Sequence, residues 1–175
     1  MASKAKTSLI NTFLDLVERE GYKKITVTSL VESCGISRQT FYYHFDDIHE
    51  MIEWAFNEET DKICKAGADE GWKDSAQRFV SFLNRYDGFL RSSMKTEDFI
   101  IIYNILCGCF KKYIASCLEN SASKKNTAKN DYEILVNCIA ASMAGLVARE
   151  IQKEESNYSE LFKSVIATAK LLSQE

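Results

Sequence analysis

No proline occurs anywhere in the 175 residues, and glycine occurs only seven times. Proline removes a backbone donor and clashes inside a helix, so a chain without it can run its helices unbroken. Folds built from short strands take their turns from Gly and Pro, and seven glycines are too few for that. The chain is therefore expected to be all-α. With 46% hydrophobic and 27% charged residues it can bury a core and is not a disordered segment. The length suits one ordinary domain or two small units sharing a core.

Apolar spacing places the helices. Leu9, Ile10, Phe13, Leu14 and Val17 make one stripe on a helix over about 3–20, with Gly21 free to take positive φ after it. Thr26 reads as the N-cap of a short helix whose buried face is Val27, Leu30, Val31 and Cys34. Gly35 ends that helix, Ile36 fills the turn, and Ser37 caps the next. A longer helix follows from about 47 to 64 or beyond, with a loosening at Gly67 and Gly71. The spacing then predicts helices over 74–86, a short piece over 87–93, and long helices over 96–119, 131–154 and 158–172. Phe99 to Tyr103 is apolar on every side and is expected to be enclosed by other helices. Residues 120–130 are polar and without periodicity, the mark of a surface loop.

Charge is uneven along the chain. Net charge is −3, yet residues 1–45 carry six basic and four acidic side chains, leaving the acidic excess to the remainder. An N-terminal module that approaches phosphate would have this sign. The longest uncharged run, Ile134–Ala148, is fifteen residues, and Phe99–Phe110 is twelve, whereas a membrane span needs about 20. No apolar stretch follows Met1–Lys6, so no signal peptide is visible and a cytoplasmic location is expected. The six cysteines (34, 64, 107, 109, 117, 138) are expected to be reduced, as small buried apolar residues. With His44 and His49 the only histidines, no metal-ligand spacing appears, and no cofactor motif or catalytic set is present.

The informative stretch is Thr26 to Phe45. Two short helices joined by Gly35-Ile36-Ser37 have the pattern of a helix-turn-helix, with Ile36, Phe41 and Phe45 expected to lock the second helix onto Phe13, Leu30 and Val31. The exposed first turn then carries Arg38, Gln39 and Thr40. Those side chains suit guanine O6/N7, adenine N6/N7 and the thymine methyl respectively. Tyr42, Tyr43 and His44 can donate to phosphates, and the amides near Ser37 favour an anion.

The run Gly21-Tyr22, Thr26-Val27, Leu30, Gly35-Ile36-Ser37 and Thr40-Phe41-Tyr42-Tyr43-His44-Phe45 resembles the N-terminal signature of TetR-family transcriptional regulators. The resemblance implies a nine-helix, all-α architecture, with a DNA-binding domain over 1–46 and a ligand-binding and dimerisation domain over 47–175. It implies a homodimer whose recognition helices enter successive major grooves of a palindromic double-stranded operator. Thr26, Ser37, Arg38, Gln39, Thr40, Tyr42, Tyr43 and His44 are the expected DNA-binding residues. A small-molecule effector is expected to control a regulator that is most simply a repressor.

Two positions depart from the family pattern. Ser29 stands where an acidic residue usually completes the capping box of the second helix. Ile48, after Asp46 and Asp47, stands where a lysine usually meets a phosphate, which predicts weak or weakly salt-dependent binding. In the body, Ala140, Ala141, Ala144, Gly145 and Ala148, with the stripe Leu161, Phe162, Val165, Ile166, Ala169 and Leu172, suit a two-fold interface made by the last two helices. Asn104 is a polar group in an apolar helix, and it could line an effector pocket together with Tyr86, Phe89, Tyr103 and Cys107. Two alternatives stand beside this reading. One is an activator controlled by a protein co-regulator, a scheme known among TetR-like activators of dihydroxyacetone-kinase operons with bodies of similar size. The other is a helical interaction module that keeps the scaffold without binding DNA.

Overall fold

A computed structural model describes residues 2–70, 72–118 and 128–172. Among them are eight α-helices and one 3-10 turn, and no strand. The helices are α1 (Ala2–Glu20), α2 (Val27–Cys34), α3 (Arg38–Tyr42), α4 (Ile48–Glu70), α5 (Trp72–Ser93), α6 (Phe99–Leu118), α7 (Lys129–Ile151) and α8 (Tyr158–Leu172); the 3-10 turn is Tyr22–Lys24. The all-α expectation is met, with eight α-helices among the described residues where nine were expected. Gly71 and most of the expected 120–130 loop lie outside the described residues, as do the side chains of Ala169 and Leu172.

Two compact units share these elements: Met1–Glu58 with Tyr86–Ile105, and Glu59–Arg85 with Leu106–Glu175. The boundary expected at 46/47 is a division by role, and differs from this one by packing.

The first unit is built around aromatic rings. Phe13, Tyr22 and Phe89 meet edge to face, with centroids 5.1 to 6.2 Å apart, a geometry favoured by the ring quadrupole. Phe56 adds edge contacts to Tyr86 and Phe89. The break expected after Tyr86 is absent, and α5 runs on to Ser93. Its buried face explains this, because Phe82, Leu83, Tyr86, Phe89 and Leu90 continue one helical stripe that a single glycine, Gly88, does not interrupt. Phe13 thus finds its ring partners in Tyr22 and Phe89, and Phe45 finds its own in Phe41 and Trp54. Lys6 lays its ammonium over both Phe45 and Trp54, 4.7 and 4.8 Å from their centroids, a cation–π pairing.

In the second unit Phe79 is the centre. It stacks on Phe110 at 4.6 Å and meets Phe82, Tyr113 and Phe162. The loosening expected at Gly67 is absent as well, since α4 continues through it. A Cβ at Gly67 would come within 2.9 Å of the Ser75 Cβ, so the glycine serves close helix approach rather than a break. Glu150, only 4% exposed, joins α7 to α8. Its carboxylate accepts from the Asn157 amide at 2.9 Å and pairs with Lys153, while Asn157 caps α8 by accepting from the Glu160 amide.

Several burial expectations are corrected. Of the run Phe99–Tyr103 only Ile102 is fully buried, while Ile100 and Ile101 are 63% and 43% exposed. A helix turns 100° per residue, so one position in such a run faces inward unless neighbours surround it. All six cysteines are free thiols, but only Cys109 is buried; Cys117 and Cys138 are exposed. Both α6 and α7 are long and apolar enough to cross a membrane by length and composition alone, although the uncharged run is short. Each instead commits a face to packing, through Leu106, Cys109 and Phe110 in one and Val136, Ala140, Ala144 and Val147 in the other.

Burial leaves a titration signature. It pushes the Tyr22 phenol above its ordinary range, helped by the Asp98 carboxylate, and does the same to Tyr113 against the lowering effect of its hydrogen bond to Ser75. Above about pH 10 the unfolded chain releases these protons while the folded chain holds them. The unfolded state then binds fewer protons, so stability falls as pH rises. Urea midpoints should decline from about pH 10 upward, and Tyr113→Phe should flatten that decline. An unchanged slope in the variant would contradict the assignment.

Candidate nucleic-acid interface

The short helices α2 and α3 depend on their ends. Eight and five residues are too few to hold a helix in water without caps and packing. Thr26 and Ser29 form a complete capping box: the Ser29 amide donates to Thr26 Oγ1 at 3.1 Å, and the Thr26 amide donates to Ser29 Oγ at 3.0 Å. Ser29 thus does with a hydroxyl what the acidic residue does in the family pattern. At the other end Gly35 takes φ 70°, ψ 29°, a left-handed conformation that glycine adopts without a Cβ penalty. Its amide and that of Ile36 return to carbonyls of the last turn of α2.

Ser37 caps α3 by accepting from the Thr40 amide at 3.0 Å, and its hydroxyl lies 2.9 Å from that of Thr40. Phe41 and Phe45 are buried with Leu30, Val31 and Phe13, which leaves the opposite side of α3 outward. Arg38 and Gln39 are exposed, Tyr42 is 55% exposed and Tyr43 is 82% exposed. Tyr43 stands edge-on to the ring of His44, with centroids 5.0 Å apart. Of the eight residues expected to bind DNA, the structure thus gathers Arg38, Gln39, Tyr42 and Tyr43 on the surface of one short helix and its end. His44 and Thr40 are half-buried beside them. Thr26, Ser37 and Thr40 already use their hydroxyls in capping.

Two local features escaped the sequence reading. The Arg38 guanidinium donates through Nη2 to the Thr28 hydroxyl, across the turn from α3 to α2. Sequence spacing alone gives no sign of this, because ten residues and a tight turn separate the two. The acidic residues at the start of α4 also have a local use. Asp47 Oδ1 accepts from the Glu50 amide at 2.8 Å, and Glu50 in turn accepts from the Asp46 amide. Carboxylates at a helix N-terminus oppose the positive end of its dipole favourably. Asp46, Asp47 and Glu50 are exposed next to the end of α3, so the charge that the sequence predicts to weaken phosphate contact is present at the surface.

A second polar cluster lies in the same compact unit. The Tyr22 hydroxyl donates to Asp98 Oδ2 at 3.1 Å and lies 3.1 Å from His49 Nε2, which is 3.4 Å from Asp98 Oδ2. These three residues line an open cleft of about 600 Å³. The five residues expected around an effector do not gather there. Tyr86 and Phe89 are buried in the aromatic core, Tyr103 and Cys107 are half-buried, and Asn104 is exposed. The buried polar position expected of Asn104 is therefore corrected: it faces the same side of α6 as Ile100 and Ile101. In the second unit a cleft of about 360 Å³ is lined by Ile63, Phe82 and the Glu59–Arg85 ion pair. Among the described residues no group of three or more metal-ligating side chains converges.

Comparison with known proteins falls on the same helices. Residues 9–54 match the family model for bacterial regulatory proteins of the tetR family. Over 77 residues the chain is 26% identical to the HTH-type dhaKLM operon transcriptional activator DhaS of Lactococcus lactis subsp. lactis (strain IL1403), a match that covers 43% of this chain and 41% of that relative. A solved structure of a dihydroxyacetone kinase operon activator DhaS superposes with a TM-score of 0.71 at 18% identity, covering 95% of this chain and 97% of that one. At that identity the likeness is one of fold. The family match spans the helices whose caps, buried rings and outward side chains form the helix-turn-helix, so over residues 9–54 the chain is similar to the tetR family of bacterial regulatory proteins, and over nearly its entire length it shares the fold of the DhaS structure.

Proposed function

We propose that the chain acts as a homodimeric transcription regulator that binds a palindromic DNA operator through residues 1–46 and is controlled through residues 47–175. The observation that carries this reading is the outward face of α3. Arg38 and Gln39 stand exposed on a short helix fixed by caps at both ends of its turn and by two buried rings beneath it. Arg and Gln are the side chains suited to bidentate contact with guanine and adenine edges. Tyr42 and Tyr43 flank them as exposed phenols that can reach phosphate oxygens. A DNA-bound regulator works in the cytoplasm.

Dimerisation through α7 and α8, close to the expected 131–154 and 158–172, is supported by an apolar surface left open on α7. Ile134 and Leu135 are 53% and 41% exposed, and a Cβ at Gly145 would meet nothing within 4 Å. Control follows if an effector binds better to a dimer geometry whose recognition-helix spacing mismatches the operator, since only differential affinity shifts such an equilibrium. A protein co-regulator is the second reading of the control step. It is favoured by Ile100 and Ile101, apolar and exposed on α6. The sign of regulation divides in the same way: repression is the simplest expectation, whereas the name of the relative DhaS describes an activator. A reporter fused to the bound promoter, with and without the regulator, separates the two.

Genomic fragments captured at low salt by the purified protein should share a palindrome. Against that site Arg38→Ala should cost about 1–3 kcal/mol and relax the preference at one base per half-site. Equal affinity for operator and scrambled DNA in the unaltered protein would favour the interaction-module reading instead. Ile48→Lys should tighten binding at low salt and steepen the salt dependence by about two counterions per dimer, one for each added phosphate contact. An unchanged slope would mean that Ile48 lies away from the backbone. Ile134→Asp should convert a dimer into monomers in sedimentation equilibrium and weaken operator binding with it, and a variant that stays dimeric would remove α7 from the interface.

A further inference from the structure

Arg38 is the first residue of α3, and Thr28 is the second of α2. The Arg38 Nη2 donates to Thr28 Oγ1, and among the described residues no carboxylate pairs with this guanidinium. Both backbones are fixed where they stand. Thr28 lies inside the capping box of Thr26 and Ser29, while Arg38 follows the Gly35 turn and the Ser37 cap. A long, exposed cation is thereby tied to the neighbouring helix by a neutral oxygen.

The chemistry of that tie matters. A guanidinium has five N–H donors in a planar fork, and a bidentate contact to guanine O6 and N7 uses two of them. Thr28 accepts one N–H and leaves four, including the second on the same nitrogen. A carboxylate in its place would pair with the fork and cancel its charge, whereas a hydroxyl orients it and leaves the charge intact. Restricting a rotamer-rich side chain before binding also removes part of the ordering cost at the moment of association.

We propose that Thr28 is a positioning residue for DNA recognition, which orients Arg38 for a guanine edge without itself contacting a base. This rests on the reading of Arg38 as a base contact. Thr28→Val keeps the shape and removes the acceptor, and Thr28→Ser keeps the acceptor and removes a methyl.

The test is operator binding and base preference for the full chain and its T28V, T28S, R38A and T28V/R38A variants, measured on the palindrome recovered from genomic fragments. T28V should weaken binding about three- to tenfold, with the loss concentrated at the base that R38A also relaxes. Its salt slope should match that of the unaltered protein, because no charge is lost. T28S should restore the preference. In the R38A background T28V should have no further effect, since Thr28 acts only through Arg38. An equal T28V effect with and without Arg38 would overturn the inference and assign Thr28 to a direct contact or to α2 stability. So would a T28V protein with unchanged affinity and preference beside a defective R38A. Normal binding by R38A would instead overturn the reading of Arg38 beneath it, and the inference with it.

Discussion

Tyr22 holds the first compact unit together, and the helix-turn-helix depends on it. Its ring is packed edge-on against Phe13 of α1 and Phe89 of α5. Its amide donates to the Ser92 hydroxyl at 2.8 Å, and its own hydroxyl donates to Asp98 beside His49. One side chain and its backbone thus join the end of α1, the end of α5, the start of α4 and the segment before α6. A buried phenol needs a partner for its hydroxyl, and here the partner is a carboxylate seventy-six residues away in sequence. Gly21 before it, at φ 80°, turns the chain so that the ring can enter the core.

On that base stand two helices that would not form alone. A reciprocal serine–threonine cap, a left-handed glycine and a second serine cap close α2 and α3 at their ends, and Phe41 and Phe45 hold α3 down. The consequence is a rigid outward face. Side chains carried on such a face bind any rigid partner at less cost, because part of their ordering is met on folding. The acidic start of α4 is different in kind. Asp46, Asp47 and Glu50 stabilise their own helix end while adding negative charge beside α3, so under the proposed function local helix stability would compete with phosphate affinity at this junction.

Much of this was legible in the residue order. Gly35, Ser37 and the Phe41–Phe45 spacing give the turn and the buried side of α3, and the exposed set Arg38, Gln39, Tyr42 and Tyr43 follows by subtraction. Less legible were places where a local signal had two readings. Gly67 and Gly88 look like breaks, yet Gly67 lies where Ser75 approaches within the length of a Cβ contact, and Gly88 rides a stripe that neighbouring aromatics keep helical. The apolar run before Tyr103 suggested full enclosure, and Asn104 a buried amide. Whether a helix is surrounded or half-exposed depends on how many partners pack around it, which residue order does not state. The cysteines failed for the same reason, since a small side chain is compatible with either side of a helix.

Residue order by itself determined that this chain is helical, where its short helices begin and end, and which family its first 54 residues resemble. Caps, glycines and periodic spacing are local, and each acts within a few residues of its own position. Tertiary structure alone decided which rings meet, that Tyr22 reaches Asp98, that Glu150 is buried to join α7 to α8, and that Thr28 holds Arg38. Those contacts join residues on different helices, and their distances depend on the packing of entire elements. The same packing determines which of many apolar positions are left at the surface for another molecule to cover.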